Sequence, residues 1–323
     1  MSYRPYFTKQ QTNYYTVGFY NLENLFDIQD NPHTLDNDFL PDAEKRWNRE
    51  RYEKKIFKLG TVISNIGFAQ TRKAPILLGV AEVENKKVLE DLIASKHLKN
   101  KDYGIVHYDS PDERGIDVAL LYQKQYFTVT NAQPISLLID NPNGERDYTR
   151  DILWVTGFLN DEEIHILINH WPSRRDSAEG TAYKRIAAAQ KNREIMDQIA
   201  AENSNAKIII MGDFNDDPHS TSIRDHLVQQ DLFNPMERLH TQHSGSLNYR
   251  GQWNLFDQII FSHNFHKFEK GKHSFSTATI FDQDFLKIYK GWHKGKPFRT
   301  YVGRKYVGGY SDHFPVYIQL KLN

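Results

Sequence analysis

The sequence predicts an α+β fold in which two packed β-sheets carry helices on their outer faces. Three observations lead there. Short apolar runs with strand periodicity recur along the whole 323-residue chain. A small number of long helical stretches separates them. No internal repeat and no low-complexity linker interrupts the pattern.

The elements follow in order. "YTVGFYN" (Tyr15 to Asn21) reads as the first strand. A helix follows over Arg49 to Ile66, because Tyr52, Ile56, Leu59, Ile63 and Ile66 recur at three- and four-residue steps. "PILLGVAE" (Pro75 to Glu82), "IDVALLY" (Ile116 to Tyr122) and "DILWVTGFL" (Asp151 to Leu159) are strands. "EIHILINH" places Ile164, Ile166 and Ile168 on one strand face. Ala178 to Ala201, rich in Ala, Lys, Arg, Gln and Glu, predicts a second long helix. "KIIIMGD", "LFDQIIFS" and "FPVYIQLKL" complete the strands; in the last, Val316, Ile318, Leu320 and Leu322 alternate with Tyr317, Gln319 and Lys321.

Composition narrows the function. Lys+Arg and Asp+Glu both number 41, so no global field attracts polyanions, although a local basic patch stays open. The chain has no cysteine, which excludes disulfides, thiolate metal sites and cysteine nucleophiles. No run reaches the ~18 consecutive apolar residues of a membrane helix. The N-terminal "MSYRPYFTKQQTNYY" lacks an apolar signal core, and a cytoplasmic location is expected.

The polar residues cluster at strand ends. "IIIMGDFNDDP" (Ile208 to Pro218) stops a run built for burial in Asp213 and Asn215, with Phe214 between them. In an extended chain residues i and i+2 share a face, so Asp213 and Asn215 are expected together and Phe214 turned inward. Asn21 and Glu23 repeat that spacing after the first strand. Glu82 closes "ILLGVA", Asn169 and His170 close "IHILI", Asp257 interrupts "NLF" and "QIIFS", and Asp312 and His313 precede "FPVYIQL". Any one of these alone reads as turn or cap chemistry. Turn chemistry does not demand carboxylates, amides and imidazoles at six separate strand ends.

Together "FYNLENLFD", "LGVAEVEN", "RGIDVALLY", "NHWPSRR", "MGDFNDDP", "LFDQIIFS" and "SDHFPV" resemble the endonuclease/exonuclease/phosphatase superfamily, which has the DNase I-like fold. The resemblance implies a four-layer α/β/β/α sandwich with its site at one end of the two sheets, and one catalytic domain over residues 1–323. It implies Mg²⁺ or Mn²⁺ on Glu82, with Asn21 and Asp312 nearby and Glu23 assisting through water. Such hard oxygen ligands select those ions. It further implies that Asp213 activates or orients the attacking water, that Asn215 donates to a phosphate oxygen, and that His313 donates to phosphate or accepts the water's proton. Asp257 would fix the His313 tautomer, and His170 would bond phosphate from the other side. Asp213 and His313 both remain candidates for the base.

Several assignments stay open between function and packing. Asp117 could orient His170 or serve a turn. Arg150 and Arg174 could grip phosphate. Trp171 could stack on a base or pack beneath the site. The segment Phe285 to Tyr310 is basic, aromatic and free of acids, so it could hold a nucleic-acid strand, hold a small phosphorylated molecule, or be a solvated hairpin. The insert Asp27 to Trp47 is acidic and would disfavour long polyanions.

Three functions are therefore carried forward. The first is a metal-dependent phosphodiesterase acting on DNA or RNA. The second is the same chemistry on a small phosphate ester, lipid headgroup or inositol phosphate. The third is a non-catalytic binding module. A monomer without a membrane span is the expected form.

Overall fold

The computed structural model describes residues 13–174 and 177–323; Arg175 of the "NHWPSRR" block and most of the N-terminal stretch lie outside them. In chain order the principal strands are β1 (Tyr14–Leu25), β2 (Leu77–Val83), β3 (Tyr103–His107), β4 (Asp117–Gln123), β5 (Phe127–Ile135), β6 (Ile152–Leu159), β7 (Glu162–His170), β8 (Lys207–Asp213), β9 (Leu232–Phe233), β10 (Asp257–Ser262), β11 (His273–Ile280) and β12 (Val316–Leu322). The main helices are α1 (Arg49–Asn65), α2 (Lys86–Ile93) and α3 (Ala182–Glu202). One six-stranded sheet runs β11-β12-β1-β2-β4-β3 and the other β9-β10-β8-β7-β6-β5.

Each sheet is built around one parallel pair, β1 with β2 and β7 with β8, flanked by antiparallel neighbours. A parallel pair needs a crossover, and α1 and α3 supply the two crossovers. The carboxyl ends of each pair therefore lie on one rim. The antiparallel neighbours begin on that same rim: Asp257 pairs with Asp213, Val316 with Phe19, and Asp117 with Val83. This topology is why polar residues after some strands and before others meet.

Alternation sorts the apolar residues between layers. Ile164, Ile166, Ile168, Ile209 and Met211 enter the core between the sheets. Leu167, Ile208, Ile210 and Ile260 face the other way, onto Ala188, Ala189, Ile195 and Ile199 of α3. On the outside of the first sheet, α1 buries Tyr52, Ile56, Leu59 and Ile63, as its periodicity predicts. Asn48 caps it by accepting from the Arg51 N–H at 3.1 Å.

Two helices differ from expectation. α3 begins at Ala182 rather than Ala178, because Arg185 holds the Ala178 carbonyl (2.6 Å) and the Thr181 hydroxyl (2.8 Å) in a turn ahead of the helix. α2 was not anticipated; its signal was Asn85, whose side chain accepts from the Val88 N–H at 3.1 Å, before the buried Val88, Leu89 and Leu92.

The two inserts meet each other. Trp47 is buried and donates its indole N–H to the Phe26 carbonyl at 2.9 Å. Phe39 packs edge-on against Tyr301, with ring centroids 6.1 Å apart. Tyr301 belongs to a small hairpin, Tyr301–Val302 paired with Lys305–Tyr306, inside the basic segment.

At the far end of β7, Glu162 joins the sheets. It accepts from the His273 N–H (2.7 Å) and ring Nδ1 (2.8 Å) and pairs with Lys207 at 2.9 Å. Burial alone would raise its pKa, but these partners outweigh burial and hold it at about 2. A depressed carboxylate pKa stabilises the fold above the unfolded value and loses that contribution as pH falls toward the folded one. Glu162→Gln is thus expected to cost on the order of 3 kcal/mol at neutral pH. Its chemical-denaturation stability should also fall less than the parent's between about pH 4.5 and pH 2. Parallel pH profiles for the two proteins would remove Glu162 from this role.

Candidate active site

The rim is shaped by backbone that ordinary strands avoid. Between β1 and β2 the register moves from Asn21↔Ala81 to Leu25↔Val83, and between β2 and β4 it skips from Ala81↔Val118 to Val83↔Asp117. Glu82 is bulged out of both ladders, with φ +59°. Glu23 (φ +52°), Asn24 (+51°) and Asn215 (+49°) share this left-handed region. Such conformations in non-glycine residues cost on the order of 1–3 kcal/mol each and persist where surroundings enforce them. Here the enforcement is visible. The Asn24 N–H donates to Glu82 Oε2 (2.8 Å), the Glu23 N–H to Asn21 Oδ1 (2.9 Å), and the Asn215 N–H to Asp213 Oδ1 (3.0 Å).

Side chains from both sheets converge around Asp213. Asn21 Nδ2 donates to Asp213 Oδ2 (3.0 Å) and to Glu82 Oε1 (3.2 Å). His170 Nε2 lies 3.9 Å from Asp213 Oδ2 and 4.0 Å from Glu82 Oε1. His313 Nε2 approaches the same Asp213 oxygen at 3.9 Å, while its Nδ1 is 2.6 Å from Asp257 Oδ2. Ser311 supports this loop by donating to the Asn21 carbonyl (2.7 Å) and accepting from the His313 N–H (3.1 Å).

The electrostatics divide the two histidines. Burial works to strip the His313 proton, but the charge and hydrogen bond of Asp257, with Asp213 and Asp312 behind it, outweigh burial and raise its pKa well above normal. His170 is pushed well below normal, first by burial and then by Arg150, Arg114 and His313. Among the described residues its buried Nδ1 has no hydrogen-bond partner, so a neutral ring best keeps its proton on Nε2, facing the carboxylates. Asp213 is pushed up to about 6, chiefly by burial; His313 opposes that and Asp257 adds to it.

Other expected residues stand elsewhere or act differently. Asn21 turns its amide nitrogen toward the carboxylates and spends its oxygen on the Glu23 N–H, so it presents a donor to this space. Asn215 lies past the end of β8, so strand alternation does not place it, and its side-chain amide donates to the Trp171 carbonyl at 2.9 Å. Phe214 turns inward as expected, but into the α3 layer. Asp312 bonds Arg299 Nη2 at 2.7 Å. Asp117 does not reach His170; it holds Ser110 and the His107 ring, the latter at 3.2 Å.

The expected substrate residues are occupied by the protein itself. Arg150 is buried and bonds the His170 carbonyl (3.2 Å), the Trp171 carbonyl (2.8 Å) and Asp112 (2.9 Å). Arg174 bonds the Asn215 carbonyl (2.8 Å) and Asp216 (2.7 Å). Trp171 is 1% exposed, with its ring edge-on to Phe214 and its N–H on Asn169 Oδ1 at 2.9 Å. Asn169 also accepts from Asn192 of α3, at 2.8 Å, and so faces away from the rim. All four brace the strand ends from behind.

Sequence reasoning missed Lys55, Arg299 and Ser311. Lys55 is buried in α1, donating to Thr300 Oγ1 and to the Tyr310 carbonyl (both 2.6 Å), and lies 3.7 Å from Glu23. A lysine inside the apolar stripe of a helix was the available signal. Arg299 offered none, since its place depends on how the basic segment folds back.

The donor chemistry suits a hard cation. Carboxylates of Glu23, Glu82, Asp213, Asp257 and Asp312 crowd this rim, and among the described residues the buried Asp257 Oδ1 has no hydrogen-bond partner. Among the described residues, Asp213, Asp257 and His313 put ligand atoms within 4.8 Å of one another; Glu82 and Asp312 do not join a group that tight. His107, Asp109 and Asp117 form a second such group among the described residues.

A family model described as endonuclease/exonuclease/phosphatase family matches residues 16–322. No curated protein matches. Solved structures do. A humanized D. rerio TDP2 aligns at TM-score 0.57 and 12% identity, over 96% of this chain and 99% of that one. D. rerio TDP2 complexed with a single-strand DNA product aligns at 0.55 and 12%, over 95% and 99%. A mannosyl-6-phosphatase from Bacteroides thetaiotaomicron aligns at 0.58 and 16%, over 95% and 99%. At these identities the likeness establishes the four-layer, DNase I-like fold.

Proposed function

The chain belongs to the endonuclease/exonuclease/phosphatase family, and from that premise we propose that it is a divalent-metal-dependent phosphoesterase in which water attacks phosphorus. The carrying observation is the Asp257–His313–Asp213 arrangement, with His170 meeting the same Asp213 oxygen from the other side. Because these groups come from both sheets, we read residues 1–323 as one catalytic domain.

The residues divide the work by protonation state. Asp213 is the base, because a carboxylate near pH 6 is charged at neutral pH yet basic enough to accept a proton from water. His313, held protonated by Asp257, donates to a phosphate oxygen and balances developing charge. Neutral His170 donates its Nε2 proton from the opposite side. Asn21 aligns Asp213 with Glu82. Mg²⁺ or Mn²⁺ would be held by Glu82 and Asp312, and when bound it supplies Lewis-acid polarisation of a phosphate oxygen.

Two observations pull the substrate in different directions. The tip of the basic segment exposes Trp292 (93%) and Tyr289 (73%) among lysines, which favours stacking on a nucleic-acid strand and makes phosphodiesters the first reading. A cavity of about 710 Å³ beside the site is walled by Glu84, Asp109, Asp112, Glu113 and Asp117, which repels a long polyanion on that side and favours a small phosphate ester.

The test is a substrate panel with Mg²⁺ or Mn²⁺: single- and double-stranded DNA, RNA, bis-p-nitrophenyl phosphate and phosphomonoesters. Diester turnover supports the first reading, and monoester turnover with inert diesters the second. Asp213→Asn should lower kcat roughly 10²–10⁴-fold. The parent's acid limb in kcat/KM should lie at or below about pH 6, since a bound cation favours the charged carboxylate. Absence of turnover across the panel, with tight ligand binding, would leave a binding module in its place.

A further inference from the structure

Beside the catalytic rim lies a second, smaller cavity of about 170 Å³, whose walls include Glu23, Phe39, Lys45, Trp47, Arg299 and Tyr301. It forms only where the acidic insert and the basic segment meet. It shares its walls with the site: the Asn24 N–H holds Glu82, and Arg299 holds Asp312. Its size is well below the ~300 Å³ at which pockets begin to take whole small ligands, so it suits a single group.

The charges facing this cavity are unequal. Glu23 is already saturated: its oxygens accept the Thr300 N–H (2.6 Å) and the Tyr301 N–H (3.4 Å), with Lys55 and Arg299 close behind. Arg299 is partly spent on Asp312. Lys45 is not spent. Its Nζ sits 4.8 Å from the Phe39 ring centre and 5.2 Å from that of Tyr301, and among the described residues no carboxylate pairs with it. Aromatic faces hold an ammonium weakly and leave its charge uncompensated. The Lys45 backbone is pinned nonetheless: its carbonyl accepts from Arg51 at 2.5 Å and from the Tyr301 hydroxyl at 3.0 Å. A mostly acidic insert thus brings to the edge of the site a lysine whose backbone is held and whose charge no carboxylate among the described residues pairs.

We propose that Lys45 and Arg299 form a specificity pocket for a second anionic group on the substrate, a phosphate or carboxylate adjoining the phosphate ester that is cleaved. The inference rests on the phosphoesterase reading and refines it. The anion would bridge the Lys45 ammonium and the Arg299 guanidinium, while Phe39, Trp47 and Tyr301 limit the depth of entry. The shared chemistry has two sources, the neighbouring phosphate of a nucleic-acid strand and the second phosphate of a small bisphosphate.

The test uses two substrate pairs with the intact chain: a dinucleotide with and without a 5′-phosphate, and a hexose monophosphate against its bisphosphate. The readout is the ratio of kcat/KM within each pair. The parent should favour the doubly anionic member of one pair about tenfold or more, through KM, and that pair identifies the source. Lys45→Met, which keeps the stem over the rings, should collapse the ratio, and Lys45→Arg should retain it. Equal turnover within both pairs, or a ratio that Lys45→Met leaves intact, overturns the pocket while the phosphoesterase reading stands. If none of the four is hydrolysed, the substrate panel above decides the phosphoesterase reading, and calorimetric titration with inorganic phosphate decides the pocket alone. A saturable site weakened about tenfold in Lys45→Met keeps the pocket, and no such site overturns it.

Discussion

Asp257→Asn should lower kcat roughly 10²–10⁴-fold, the range associated with a positioned acid–base group, while the divalent-metal titration keeps its midpoint. Asp257 is fully buried and reaches the centre through His313, at 2.6 Å. Its charge and hydrogen bond are the leading influences that hold the His313 proton against burial. Without them burial dominates, and the imidazolium is lost at a lower pH. The basic limb of the pH–rate profile should therefore move to lower pH in the variant. The buried Asp257 Oδ1 has no hydrogen-bond partner among the described residues, so an amide nitrogen placed there would lack an acceptor and cost about 1–3 kcal/mol in stability. Melting curves separate that modest loss from the kinetic one. Near-parental kcat with an unmoved basic limb would dissociate Asp257 from the reaction.

Glu82→Gln should reduce kcat/KM on the order of 10²-fold at fixed Mg²⁺ and shift the metal titration to higher concentration. A Lewis-acid cation contributes several kcal/mol of charge stabilisation, and the variant removes the negative charge expected to hold it. The exchange preserves volume at a bulged residue with φ +59°, and the Asn24 N–H still finds an oxygen. Opposite Asn21, however, two amide nitrogens would face each other unless the new side chain flips. Added Mg²⁺ should recover part of the activity. A metal titration superimposable on the parent's would take Glu82 out of the site's cation chemistry.

Local signals made much of this molecule legible in advance. The apolar alternation of Ile164, Ile166 and Ile168 and of Ile208 to Met211 sorts correctly into two layers. The stripe Tyr52–Ile56–Leu59–Ile63 makes α1. The strand-end residues Asn21, Glu82, His170, Asp213, Asp257 and His313 lie together at the rim. Side chains whose use depends on distant partners were not legible. Arg150, Arg174 and Trp171 look available beside "NH" and "GDFN", yet Arg150 and Arg174 are bonded to backbone carbonyls and acids, and the Trp171 indole to the Asn169 side-chain oxygen. Asn215 illustrates the limit of the i, i+2 rule, since the strand ends at Asp213 and a left-handed turn follows.

The sequence by itself determined the layered α+β architecture, the absence of cysteine chemistry and the residue types that crowd one rim. Side-chain periodicity and composition are local properties, and burial selects for them wherever the chain runs. Only the tertiary structure decided which of those polar groups face the centre, that Asn21 offers a donor, and that two inserts hundreds of residues apart in places enclose Lys45. Those outcomes follow from two parallel strand pairs, a pair of bulged registers and a returning hairpin, whose long-range pairings no short window of sequence encodes.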